Sequence, residues 1–270
     1  SPTDTLLPLP SYVKKLAHQF RDSTLYQHPK FLEALNQSPR SDDLRLGLDL
    51  SLEGKTAPSG EYILAGINIA LNEISQELSQ DQPRIRPLAL NNSGFPALAL
   101  NNLDSLIKLP NLLAIFGGMH SPIALKQLKI IHQEKIPFLI PWAAATKIVD
   151  NMYSPNFVFR LSVRDEYAGD FLIHEIVKRD QKKIGLLLEN TGWGRGNLQS
   201  MSEALSKRGI KPHLIQTFNW GVSSFKDDLI ELSKRGIDAL LFVGNAPEGE
   251  ILIRDIAELD MDIPIYSHWG

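Results

Sequence analysis

Residues 185–205, GLLLENTGWGRGNLQSMSEAL, decide how the chain is read. An apolar run, GLLLEN (185–190), leads into the turn NTGWGRGN (190–197) and then into a helix-like run, LQSMSEAL (198–205). Strand, glycine-rich turn and helix form the setting in which phosphate loops occur. The Walker pattern needs Lys and then Ser or Thr after its last glycine, but Gly196 is followed by Asn197 and Leu198. The dinucleotide fingerprint needs G-x-G-x-x-G, whereas Gly192, Gly194 and Gly196 give G-x-G-x-G. No acid stands near Phe218, where a ribose partner would fall, and Trp193 is bulky where a pyrophosphate needs close backbone approach. The turn therefore reads as a flexible one whose glycines take positive φ. At the carboxyl end of a parallel strand, its Trp193 becomes a candidate wall of a ligand crevice.

Outward from this stretch the same alternation recurs. LRLGLDL (44–50) reads as a strand, and YILAGINIALNEI (62–74) as an amphipathic helix with Ile63, Ile67, Ala70, Leu71 and Ile74 on one face. IRPLALN (85–91) is a strand, FPALALNNLDSLI (95–107) a helix, and LLAIFGG (112–118) a strand with the unbroken apolar run of burial on both faces. SPIALKQLKIIHQE (121–134) is a helix with Ser121 as candidate N-cap and Pro122 in its first turn. PFLIPWA (137–143) is the next strand. The rhythm then pauses over residues 145–156. It resumes with strand 157–163, helix 167–177, strand 184–189, helix 198–207, strand 213–218, helix 225–233, strand 239–243, helix 250–259 and strand 264–268. Such alternation implies βαβ units and mainly parallel sheets. Two series around a pause imply two α/β lobes, 44–156 and 157–270, behind an N-terminal extension, 1–43.

A length of 270 residues suits two domains. The net charge of −3, with Lys and Arg spread along the chain, gives no electrostatic case for nucleic acid or an anionic membrane. The absence of cysteine removes disulfides, thiolate metal sites and cysteine nucleophiles, and is compatible with an oxidising compartment. No apolar run approaches the ~18 residues of a membrane span. The opening Ser1-Pro2 is compatible with a leader removed beforehand.

Several segments read together resemble the type I periplasmic solute-binding proteins, the group that includes the leucine/isoleucine/valine-binding proteins of ABC importers. They are LRLGLDLSLEGKTAPSGEYILAGINIALNEI (44–74), IFGGMHSPIALKQLKIIHQEKIPFLIPWAAAT (115–146), FRLSVRDEYAGDFLIHEI (159–176), KKIGLLLENTGWGRGNLQSMSEALSKRGI (182–210) and IDALLFVGNAPEGEILIRDIAELDMDIPIYSHWG (237–270). The resemblance implies two Rossmann-like lobes around a ligand cleft that closes by a hinge. It also implies a periplasmic or extracellular location and, as partner, a membrane permease or a fused or adjacent sensor module. In the family the chain then returns to the first lobe; here Gly270 follows the SHWG turn. The expected fold is therefore C-terminally incomplete, with apolar surface left on the first lobe and self-association as its consequence.

Family positions carry over residue by residue. Ser121 matches a serine that holds the ligand carboxylate at a helix N-terminus, a place that suits anions; it also stands where it would cap that helix. Counting from Ser121 puts Trp142, Ala143 and Ala144 on the family's A-A-T strand end. Thr146 falls two residues late, so either the loop is longer and Thr146 still reaches the ligand, or that hydroxyl is absent. Trp193 matches an aromatic that covers the ligand, and Asn245 and Ala246 fall where further pocket residues stand. Trp269 occupies the place of an acid that pairs with an amino-acid ammonium. A buried ammonium without a carboxylate is costly to desolvate. The expected ligand is therefore a small carboxylate with an aromatic or otherwise non-amino-acid body, stacked on indoles or held by cation–π contact. Asp165 and Glu166 are the nearest other acids.

Motifs for chemistry are sparse. There is no H-E-x-x-H, no histidine pair at zinc spacing and no G-x-S-x-G elbow. His120 and His268 sit at crevice turns and could donate to a ligand. The reading is a non-enzymatic binding protein without cofactor or metal; the alternative is an α/β enzyme with a nucleotide or small-molecule crevice.

Overall fold

The computed structural model describes residues 40–54, 56–79 and 81–268. The chain alternates β1 (Leu44–Leu50), α1 (Ala57–Glu77), β2 (Ile85–Asn91), α2 (Pro96–Leu106), β3 (Leu112–Phe116), α3 (Ser121–Glu134), β4 (Phe138–Ile140), a 3-10 turn (Thr146–Ile148) and β5 (Val158–Arg160). It continues through α4 (Asp165–Lys178), β6 (Ile184–Glu189), α5 (Gly192–Ser206), β7 (Leu214–Phe218), α6 (Lys226–Lys234), β8 (Ala239–Val243), α7 (Ala246–Glu258) and β9 (Ile265–Ser267). The strands form two sheets, ordered β2-β1-β3-β4-β5 and β7-β6-β8-β9. Every pairing is parallel, so the fold is the α/β architecture of two Rossmann-like lobes.

The chain passes from the first sheet to the second after β5, which pairs with β4; the crossover thus falls a few residues beyond the expected 156/157 junction. Of the expected N-terminal extension, residues 1–39 lie outside the described residues. Asp43, its last residue, is buried, accepts from the backbone N–H of Arg84 and pairs with the Arg86 guanidinium.

Two packing expectations change. Along α1, Ile63 and Ile67 are buried and Leu71 packs partly against them, but Ala70 and Ile74 of the same expected face are exposed, Ile74 by 40%. In β3, Ala114 and Ile115 are buried, while Leu113 is 44% exposed. The β1–β3 register explains this: Arg45 faces Leu112 and Leu46 faces Ala114, so Leu113 is the extra residue of a bulge and is turned out of the core. By contrast β6 and β8 are buried along their whole length, as central parallel strands covered on both faces should be.

One apolar cluster runs through both lobes, joining Leu128, Ala143 and Ile148 of the first to Leu186, Trp193 and Met201 of the second. Helices α3 and α5 pack against each other across the junction, and the Leu125 methyl lies 4.0 Å from where a Cβ on Gly192 would stand. The first lobe also holds a polar tie. Asp49 at the end of β1 is fully buried and accepts hydrogen bonds from Asn102 Nδ2 of α2 (2.8 Å) and Gln127 Nε2 of α3 (2.7 Å). Burial pushes its carboxyl up to about 6, against the effect of those amide donors.

The folded state thus holds the Asp49 proton more tightly than the unfolded chain, whose value is 3.8. That stabilisation is complete below 3.8 and is lost as pH rises through about 6. Asp49→Asn keeps the shape and removes the charge. In urea unfolding from pH 4 to 8, the variant should gain on the parent as pH rises, by roughly 2–3 kcal/mol in all. Parallel profiles for the two proteins would refute this account of Asp49.

Candidate functional site

In both sheets the strand order reverses beside the first strand of the lobe: β2 lies on one side of β1 and β3 on the other, and β7 and β8 flank β6 in the same way. Ligands of open α/β sheets bind outside the carboxyl ends of strands at such switch points. A pocket lies there, an open cleft of about 320 Å3 counting the solvent-filled space at its mouth. It is lined from the first lobe by Met119, His120, Ser121, Pro122, Trp142, Ala143 and Ala144. The second lobe contributes Glu189, Trp193, Trp220 and Asn245.

The turn from β3 to α3 sets the first wall. Gly118 has φ +66, and a Cβ there would stand 2.8 Å from the Ile140 side chain, so the turn needs glycine. His120, not Ser121, is the N-cap: its carbonyl accepts from Ile123 and Ala124 while its side chain takes no capping role. Ser121 is the first helical residue, and its Oγ accepts from Ala145 N–H at 3.3 Å. The expectation that Ser121 caps its helix is therefore corrected. Its hydroxyl instead ties α3 to the loop after β4 and keeps its proton for another acceptor. Arg160 donates to the carbonyls of Ala144 and Ala145, and Ser162 to that of Ala143, which fixes this loop.

The second wall is the glycine turn after β6. Thr191 is the N-cap of α5, and its Oγ1 accepts from the N–H groups of Trp193 and Gly194. None of Gly192, Gly194 and Gly196 has positive φ; all three are helical, so the expected flexible turn is instead the first turns of α5. The helix starts early because Gly194 permits it: a Cβ at that position would lie 1.8 Å from the Glu189 carbonyl oxygen. The donors that could cradle a phosphate are already satisfied by Thr191, which agrees with the missing nucleotide fingerprints.

Glu189, the last residue of β6, is 1% exposed. Its Oε1 accepts from the Thr191 hydroxyl, and its Oε2 accepts from Trp220 Nε1 (2.8 Å) and Asn245 Nδ2 (3.0 Å). Burial raises its pKa above the usual carboxylate range, although the Thr191 and Trp220 hydrogen bonds oppose the rise. This carboxyl anchors both polar side chains of the second wall. Trp193 is buried, and its Nε1 has no hydrogen-bond partner among the described residues. Across the cleft the His120 and Trp220 rings lie 5.4 Å apart. Burial drives the His120 pKa down to about 4, so this ring is neutral at neutral pH.

Six of the eight expected site residues meet in this pocket: Ser121, Trp142, Ala143, Ala144, Trp193 and Asn245. Thr146 does not line it; it begins the 3-10 turn beyond Ala145. Trp269 lies outside the described residues. Ala246 opens α7 and does not line the pocket. Asp165 and Glu166 are also away from it, Asp165 being buried 4.0 Å from His268 and Glu166 paired with Arg164. Four lining residues were not expected, Met119, Pro122, Glu189 and Trp220, and the last two bring polar groups to the wall. Trp220 follows β7, and the strand-end rule that singled out the other tryptophans would have found it. Glu189 ends an otherwise apolar strand, which was its signal. Among the described residues no cluster of acids and histidines could hold a metal, and no helix is long and apolar enough to cross a membrane.

Two parallel α/β lobes lining one pocket with their strand ends define a bilobal α/β architecture. The sequence matches the periplasmic binding protein family model over residues 43–268, and the chain belongs to that family. It is 21% identical over 226 residues to the leucine-, isoleucine-, valine-, threonine- and alanine-binding protein of Pseudomonas aeruginosa, covering 83% of this chain and 60% of that one. Among solved structures it resembles a type 1 periplasmic binding protein from Bordetella pertussis (TM-score 0.76, 18% identity, 84% of this chain and 62% of the other). It also resembles an ABC-transporter solute-binding protein from R. palustris in complex with benzoate (TM-score 0.75, 24% identity, 83% and 62%). The chain thus spans about 60% of the length of these relatives.

The glycine turn gives a paired prediction. Gly194→Ala must push a methyl into backbone, so it should destabilise the protein by about 3 kcal/mol or more, at or beyond the upper end for overpacking. A Cβ on Gly196 meets nothing within 4 Å, so Gly196→Ala should stabilise by about 0.5–1 kcal/mol through helix propensity. Urea denaturation of both variants checks this, and equal effects would contradict the close-approach account.

Proposed function

We propose that the chain binds a small organic carboxylate between its two lobes, outside the cytoplasm, and that closure on the solute is read by an ABC-type permease or by a sensor module. The observation that carries this reading is the pocket at the carboxyl ends of both sheets, where the Ser121 hydroxyl and three indoles converge. A carboxylate fits the Ser121 end, where a serine proton is free to donate at the start of α3. Trp142, Trp193 and Trp220 then offer faces to a planar or quaternary-ammonium body. A solute touching both walls would favour a closed arrangement of the lobes over an open one.

The family supports binding without catalysis, and the pocket adds no pair of acid and base in contact with each other. Its one carboxyl, Glu189, is engaged by three donors. Relatives support the solute class only in outline. One is named for aliphatic amino acids, and one neighbouring structure holds benzoate.

A thermal-shift screen of amino acids, aromatic carboxylates, betaines, sugars and nucleotides tests the reading. A carboxylate at 100 times its dissociation constant should add about 2.7 kcal/mol of stability. Stabilisation by nucleotides or sugars with none by any carboxylate would contradict it.

A further inference from the structure

Glu189 is the one charged side chain among the pocket's lining residues, which include no lysine or arginine. Its two oxygens take three hydrogen bonds, from Thr191, Trp220 and Asn245, all neutral donors. Among the described residues no cation forms an ion pair with it: the other ionisable group of the wall, His120, is held neutral by burial, and Glu248 nearby is another acid. A carboxyl 99% removed from solvent and lacking a positive partner is costly to keep ionised. A cation brought into the pocket beside Glu189 would offset that cost.

The chemistry around Glu189 says what kind of cation would complete it. Three of its four lone-pair directions are occupied, so a primary ammonium, which needs three acceptors, finds one there. The rest of the surroundings are rich in rings: Trp142, Trp193, Trp220 and His120 line the same pocket. Rings beside a carboxylate suit an alkylated ammonium, which donates no hydrogen bonds and is stabilised by π faces and by nearby negative charge. The opposite wall ends in the free Ser121 hydroxyl proton, suited to an anion.

We infer that the solute is a small betaine-type zwitterion, its quaternary ammonium seated between Glu189 and the indoles and its carboxylate at Ser121. The inference rests on the reading of the cleft as the solute site and narrows its solute class. It also places a carboxylate for the solute's cation on β6, rather than at residue 269.

Isothermal titration of the full chain with glycine betaine and with 3,3-dimethylbutyrate tests it. The two differ by one central atom, nitrogen against carbon, and so by the positive charge alone. The expected result is at least tenfold tighter binding of the betaine, with Glu189→Gln removing most of that difference. This ligand pair keeps the test valid even if the variant fails to fold. Equal or tighter binding of 3,3-dimethylbutyrate or benzoate would overturn the inference and leave the cleft as a carboxylate site. Tighter binding of leucine than of glycine betaine would overturn the alkylated ammonium. No binding of any carboxylate would remove the reading of the cleft, and this inference with it.

Discussion

The cleft depends on how closely two helices, α1 and α5, start on the strands before them, β1 and β6. In α1 a Cβ on Gly60 would lie 1.9 Å from the Ser51 carbonyl oxygen, and in α5 a Cβ on Gly194 would lie 1.8 Å from that of Glu189. Each helix therefore rests its first turn on the carboxyl end of a central strand, with glycine as the only side chain small enough. Because both sheets are parallel, their carboxyl ends gather the turns that carry function. The same glycine that permits this packing keeps Glu189 at the strand end and Trp193 one turn away.

Electrostatics give the two lobes different characters. In the first, Asp49 is buried among amides and binds its proton more tightly than a free aspartate, which makes it a structural tie between β1, α2 and α3. In the second, Glu189 is equally buried but lies on the pocket wall. Its hydrogen bonds hold Trp220 and Asn245 in place, so the carboxyl shapes the wall as well as charging it. His120 meets Trp220 as a neutral ring, so this one contact across the cleft is not ionic.

Much of this was legible in the sequence, for identifiable reasons. The alternation of periods located every strand from β1 to β9, since parallel sheets leave long apolar runs between helical ones. Strand ends were less well marked: β5 shrank to Val158–Arg160 and α5 began at Gly192, because glycines in a helix's first turn look like a loop when their tertiary contact is unseen. The bulge that exposes Leu113 left no mark, as composition is silent on register. Six site residues could be placed from strand ends and family positions. Glu189 carried a signal as the acid ending an apolar strand, but its role depends on partners 31 and 56 residues away that the sequence does not pair with it. The role given to Ser121 as a cap failed for a similar reason: its Oγ is bound to Ala145, 24 residues on.

The most direct measurement is a crystal structure of the chain with the solute that stabilises it most. The account predicts that solute between the two walls, its carboxylate within hydrogen-bond reach of Ser121 Oγ and its body against Trp193 and Trp220. A solute held by one lobe alone, or bound away from the strand ends, would contradict it.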